Sequence, residues 1–166
     1  RGYAPVYLFD PLGQAFDDLE MSKDETSLKA LAVAYEKEHG LSEGEVRITA
    51  VPNQLAFSPS EFRLPAGAKV KLTFDNPDIQ IHNLVIVKPG SAGEVGSLAD
   101  QMAQDVDAFA KHFVPATDKV IWSTPLVNAN QKVELDFTAP KEPGRYPFLC
   151  TFPGHWRVMK GILVIK

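Results

Sequence analysis

Near the end of the chain, Cys150-Thr151-Phe152-Pro153-Gly154-His155-Trp156-Arg157-Val158-Met159 puts a thiol, an imidazole and a thioether within ten residues, on a turn tightened by Pro153-Gly154. Such soft ligands favour copper over magnesium or calcium. Trigonal ligation by two His and one Cys, with a distant axial Met, changes little between cuprous and cupric states, so one electron moves with small rearrangement. The imidazole still missing is supplied by His82, in Ile81-His82-Asn83-Leu84. Taken singly, these residues say little, because a lone Cys or Met is most often core filling. Together, the Cys-x4-His-x3-Met spacing with an upstream His-Asn predicts one copper held by His82, Cys150, His155 and Met159.

Those four residues need a scaffold that brings distant segments together. From residue 45 onward apolar residues alternate with polar ones: Val46, Ile48 and Ala50, then Val70, Leu72 and Phe74, then Val133, Leu135 and Phe137. Period-two alternation marks half-buried strands. Turns at Pro65-Ala66-Gly67, Asn76-Pro77-Asp78, Lys88-Pro89-Gly90 and Pro143-Gly144 divide them, which predicts a β-sandwich or barrel. Phe148-Leu149-Cys150 ends one strand, His82 begins another over Asn83 to Val87, and Gly161 to Lys166 closes the domain. Ligands at strand ends would then converge at one pole.

Two segments depart from this pattern. Between Glu94 and Phe113, Val95, Leu98, Met102, Val106, Phe109 and Phe113 fall at steps of three and four, which predicts an amphipathic helix laid over the sandwich. Lys111 and His112 would suit its C-terminal end, and Pro115 would stop it. A second helix is predicted at about residues 26–39, capped by Thr26 and ended by Gly40. His39 and His112 are read as surface or capping residues at these helix ends.

The net charge of −4 argues against a nonspecific nucleic-acid binder. The charge is uneven: residues 1–44 carry a net −5 and the remainder a net +1, which places a boundary near residue 44. The expected organisation is therefore an acidic N-terminal extension, 1–44, and a copper-binding domain, 45–166. The apolar runs have strand length, so no membrane-spanning segment is expected. The start at Arg1, without Met or signal-peptide pattern, reads as a processed form or a piece of a longer protein, with further domains N-terminal to Arg1. Tyr3, Val6, Tyr7, Leu8, Phe9 and Phe16 make the extension too apolar for a free tail. It either folds back onto the sandwich or joins a neighbouring domain, as in a tethered electron relay within a larger redox enzyme.

Other copper chemistries fit the residues less well. Storage or delivery calls for exposed sulfur clusters, whereas this chain has one Cys. A binuclear centre needs a second Cys four residues after the first, where Gly154 stands. Multicopper oxidases and copper nitrite reductases need additional His, often as His-x-His, and the chain has four His and no such pair. A Cys-His hydrolase would leave His82 and Met159 without a role. An electron carrier with no enzymatic turnover remains.

The run Tyr146-Pro147-Phe148-Leu149-Cys150-Thr151-Phe152-Pro153-Gly154-His155, through Met159-Lys160-Gly161, resembles the ligand loop of azurins and auracyanins, the blue (type 1) copper proteins of the cupredoxin family. His82-Asn83 resembles their upstream ligand and its neighbour, and the likeness covers about residues 45–166. It implies a mainly β, eight-stranded Greek-key sandwich with a helical insertion. Copper is then bound by His82 Nδ1, Cys150 Sγ and His155 Nδ1, with Met159 axial. It also implies supporting roles around the metal for Asn83, which ties the two ligand loops together, for Thr151, and for Phe152, whose backbone N–H donates to the thiolate. Azurins have Gly where this chain has Ile81, so the backbone carbonyl at that position is left out of the expected ligand set. The disulfide typical of azurins is impossible with one Cys. The resemblance further implies an extracytoplasmic location, periplasmic or membrane-associated on the exterior, and redox protein partners docking near His155, Pro153 and Trp156.

Overall fold

A computed structural model describes residues 7–8 and 44–166. The helix expected at 26–39, His39 and most of the apolar N-terminal stretch lie outside the described residues. Ten strands and one helix are described, in the order β1 (Tyr7–Leu8), β2 (Glu45–Ala50), β3 (Phe57–Ser58), β4 (Glu61–Leu64), β5 (Lys69–Asn76), β6 (Val85–Val87), α1 (Ala92–Met102), β7 (Val120–Ser123), β8 (Gln131–Thr138), β9 (Gly144–Leu149) and β10 (Lys160–Ile165). The count exceeds the expected eight by short pieces such as β1 and β3.

Alternating sequences produce alternating burial. In β5, Val70, Leu72, Phe74 and Asn76 are buried while the residues between them are not. The strands assemble into two sheets, ordered β1-β4-β10-β9-β6-β7 and β3-β2-β5-β8. Parallel pairing of β10 with β4 and of β2 with β5 makes both sheets mixed. Their facing sides enclose Ile48, Phe62, Leu72, Phe74, Ile86, Phe137, Phe148 and Leu163, all at most 2 % exposed. Phe148 lies at the centre, with ring centroids 5.2 Å from Phe57 and 5.6 Å from Phe62. Gly161 is required beside it, because a Cβ there would collide with the Phe148 ring and the Ser60 carbonyl.

Strand β6 is buried along its whole length. Ile86 faces the sandwich core, and Val85 and Val87 join Val95 and Leu149 in a second cluster. Helix α1 provides that outer cover with Val95, Gly96 and Ala99. It is shorter than expected. After Ala103 the chain runs through successive turns to Phe113, so the anticipated apolar stripe ends early: Val106 and Phe109 are exposed, while Phe113 is buried. The physical reason lies at the far end. His112 and Phe113 both adopt positive φ, 55° and 53°, a conformation that ends helical geometry for bulky residues. It turns Phe113 inward against Phe152, with ring centroids 5.4 Å apart. No described helix is long and apolar enough to cross a membrane.

Candidate metal centre

His82 reaches the pole of the sandwich on the segment that follows β5. Asn76, the buried last residue of β5, donates from Nδ2 to the carbonyls of Gln80 (2.8 Å), Val127 (2.8 Å) and Asn128 (3.3 Å). His82 and Val127 exchange backbone hydrogen bonds at 3.3 and 2.7 Å, an isolated bridge ahead of β6 rather than its first residue. The His82 side chain is fully buried, and Nε2 lies 2.8 Å from Asp78 Oδ2, on a carboxylate only 1 % exposed. Burial alone would raise the Asp78 carboxyl, yet hydrogen bonds from His82 and from the Asn53 and Ile79 backbone N–H groups hold it below its ordinary range. An ionised carboxylate only accepts, so Nε2 is the donor of this hydrogen bond, and Nδ1 is the ring nitrogen that faces Cys150.

Cys150 arrives on the end of β9, where its N–H donates to the Met159 carbonyl at 3.1 Å and closes the loop. Inside that loop His155 N–H donates to Phe152 O and Met159 N–H to His155 O, at 3.0 and 2.9 Å. Gly154, at φ 85°, makes a turn that a side chain would strain. Burial pushes the Cys150 thiol up to about 11, against the opposing pull of the Asn83 and Phe152 backbone N–H groups. His155 is lowered, first by burial and then by His82 nearby, so it is neutral near pH 7. Among the described residues, no hydrogen-bond partner faces its Nε2.

The two arms meet. Cys150 Sγ is 3.7 Å from His82 Nδ1 and 3.5 Å from His155 Nδ1, and all three ligand atoms lie within 4.8 Å of one another. Metal bonds of about 2.3 Å to sulfur and 2.0 Å to nitrogen place ligand atoms about 3.5–3.8 Å apart at tetrahedral to trigonal angles. The separations therefore fit a single ion. Met159 is fully buried beside them, joined to Cys150 and His155 through its backbone.

Asn83 links three segments. Its Nδ2 donates to Thr151 Oγ1 and to the His112 carbonyl, both at 2.9 Å, and its Oδ1 accepts from Thr151 N–H at 2.8 Å. Sequence reading placed His112 at a helix end. In the structure it lies in the turn segment, with its carbonyl on Asn83 and Nδ1 accepting from Leu126 N–H at 3.2 Å. Phe152 stacks obliquely on His155, with ring centroids 5.0 Å apart. Trp156 is half-buried against α1 at Gly96, where a Cβ would overlap the indole. Its Nε1 donates to Asp100 at 2.9 Å, and Arg157 covers the ring at 4.4 Å while reaching the same carboxylate.

Asp78 and Asn76 are the residues that sequence reading missed. They belong to Asn76-Pro77-Asp78, which in sequence is a turn signal between strands and nothing more. The available clue was chemical: a ligating His usually donates its second N–H to a carboxylate or carbonyl, and Asp78 is the acid nearest His82 in sequence.

Two mixed sheets with a buried Cys-His-His cluster at one pole define a cupredoxin. The chain belongs to the plastocyanin/azurin family of copper-binding proteins, whose family model matches residues 44–166; its cofactor is copper. It is 37 % identical over 123 residues to auracyanin-A of Chloroflexus aurantiacus, covering 73 % of this chain and 74 % of that protein. It is 30 % identical over 122 residues to azurin of Pseudomonas chlororaphis, covering 69 % and 92 %. Among solved structures, the dithionite-reduced auracyanin of Roseiflexus castenholzii superposes with a TM-score of 0.66 at 33 % identity, over 74 % of this chain and 97 % of that one. Auracyanin A, a "blue" copper protein, superposes with the same TM-score at 34 % identity, over 74 % and 98 %.

Proposed function

We propose that the protein transfers single electrons through one type 1 copper, which His82, Cys150, His155 and Met159 would hold, and performs no enzymatic turnover. The observation that carries this reading is the separation of the three ligand atoms, 3.5 and 3.7 Å from the one sulfur, in a cluster whose side chains are all buried. When bound, copper supplies a one-electron couple. The chain's own residues do the rest. Asp78 and Asn76 hold the His82 arm, while the Cys150–Met159 loop holds the other. Asn83 and Thr151 join them, and the Phe152 N–H supports the thiolate. A site held in this way resists rearrangement, which keeps electron exchange fast.

His155, 6 % exposed, is the ligand nearest solvent and the port for the electron. Redox partners dock around His155, Pro153 and Trp156, where exposed Val158 adds apolar surface. A small weak interface suits a carrier that must release its partner. We further propose that residues 45–166 form the copper domain and 1–44 a separate acidic extension, part of which returns to the sandwich. The pairing of Tyr7 with Arg63 and Leu8 with Phe62 supports that return. An extracytoplasmic location, outside the reducing cytosol, suits a copper–thiolate centre. Reduction by dithionite and reoxidation of the copper-loaded protein test the reading. Reversible bleaching and recovery of one electron per chain is expected. A site that loses its metal or its sulfur after a single cycle would refute it.

A further inference from the structure

The buried acid behind His82 has a consequence for the chemistry of the site. We propose that Asp78 is a positioning residue that fixes His82 with Nδ1 toward copper and, by its charge, favours the cupric over the cuprous state. The inference rests on the copper reading above and deepens it.

Three observations support it. Oδ2 of Asp78 meets His82 Nε2 at 2.8 Å, with both side chains at most 1 % exposed, so water does not screen the pair. The carboxylate does not swing freely, because Oδ1 accepts from Asn53 N–H at 3.0 Å and the Asp78 N–H donates to Asn76 Oδ1 at 3.2 Å. Asn76 in turn is tied to the carbonyls of Val127 and Asn128, and Val127 pairs with His82 itself. Acid, imidazole and backbone thus form one closed net. A charge-assisted bond of this kind is roughly twice as strong as a neutral one, and such partners raise the basicity of a ligating imidazole.

The charges set the direction. With the Cys150 thiolate and the Asp78 carboxylate both inside the pole, a cupric ion makes the buried group neutral overall. One electron received from a redox partner leaves it with a single negative charge and no counter-ion among the described buried side chains. Burying net charge is unfavourable, so the reduced state is penalised. His155 has no such acid on its ring, and the effect is specific to the His82 arm.

The test is the midpoint potential of the copper-loaded protein and of Asp78→Asn, which keeps an oxygen acceptor near Nε2 and removes the charge. The wild-type visible spectrum is recorded first, and absence of a thiolate-to-copper band there defeats the copper reading rather than this one. With the band present in both proteins, Asp78→Asn is expected to move the potential to a more positive value. Cupric affinity should fall by roughly 10–100-fold with cuprous affinity nearly kept. Each tenfold change in their ratio corresponds to about 59 mV for a one-electron couple. An unchanged or more negative potential overturns the proposal. Should the variant not fold, nitrogen-15 NMR of the wild-type protein loaded with cuprous ion decides. A slowly exchanging, strongly downfield proton on His82 Nε2 is expected, and its absence overturns the proposal.

Discussion

The two arms that meet at the copper site are built on opposite plans. The Cys150–Met159 loop brings its three proposed ligands from one short run and is closed by hydrogen bonds between its own residues, such as Cys150 N–H to Met159 O. The other arm brings a single residue, His82, and fixes it through partners far away in sequence, Val127 and Asn53 among them. One arm is local and lies near the surface. The other is non-local and deeply buried, with an ionised acid at its base. The contrast shows that a metal site can have most of its ligand residues concentrated in one segment and its buried acid in another.

Breaking the local arm at its sulfur should have the largest effect. Cys150→Ala is expected to abolish the thiolate-to-copper band completely while the copper-free domain still folds, as read by absorption and circular dichroism. On the non-local arm, Asn76→Ala removes the Nδ2 donor to Gln80 O and the Oδ1 acceptor of the buried Asp78 N–H, while Val127 O keeps His82 N–H and Asn128 O keeps Gln131 N–H. One buried group so abandoned costs about 1–3 kcal/mol, and a loss of that size is expected in urea unfolding of the copper-free protein, together with a weakened blue band. A variant as stable as wild type would mean that this arm is held by something other than the Asn76 net.

A third prediction concerns pH. The Cys150 thiol rises from its ordinary 9.0 to about 11 in the folded, copper-free protein. Below pH 9 the thiol is protonated in both states and contributes nothing. Above pH 9 the unfolded chain releases its proton first, so folded stability falls as pH rises toward 11, by about 2–3 kcal/mol. Comparison of thermal unfolding with Cys150→Ala isolates this contribution, which the variant should lack. At neutral pH the same raised thiol means that copper uptake releases about one proton, measurable in weakly buffered solution.

The smallest effect is expected where the local arm leans on the helix. Gly96→Ala would drive a Cβ into the Trp156 indole, and overpacking of this kind typically costs about 1–3 kcal/mol. The ligand loop closes on itself, so the absorption band should persist with little change. If the band shifted as much as stability fell, the loop would prove to depend on α1 for its ligand geometry.

The local arm was readable from the sequence because its chemistry and its spacing coincide: Cys150, His155 and Met159 announce themselves together. The strands were readable for a similar reason, since β5 and β8 pair side by side over alternating sequences from Lys69–Thr138 to Asn76–Gln131. The non-local arm was only half readable. His82 stood out as the one upstream imidazole beside Asn, yet Asp78 and Asn76 looked like ordinary turn residues. Their role depends on contacts across the fold that no local pattern encodes. The insertion failed in another way. Its three-and-four spacing continued past Met102, but contacts made by His112 with Asn83 and by Phe113 with Phe152 favoured a turn over the remaining helix. Tertiary contacts overrode a periodic signal.

The most direct test of the whole account is titration of the metal-free protein with cupric ion, followed by visible and electron-spin-resonance spectroscopy. One equivalent per chain should produce an intense thiolate-to-copper band and a narrow hyperfine splitting, the signature of two imidazoles and a thiolate around one ion. Weak absorption with a wide splitting, or uptake that survives Cys150→Ala unchanged, would contradict it.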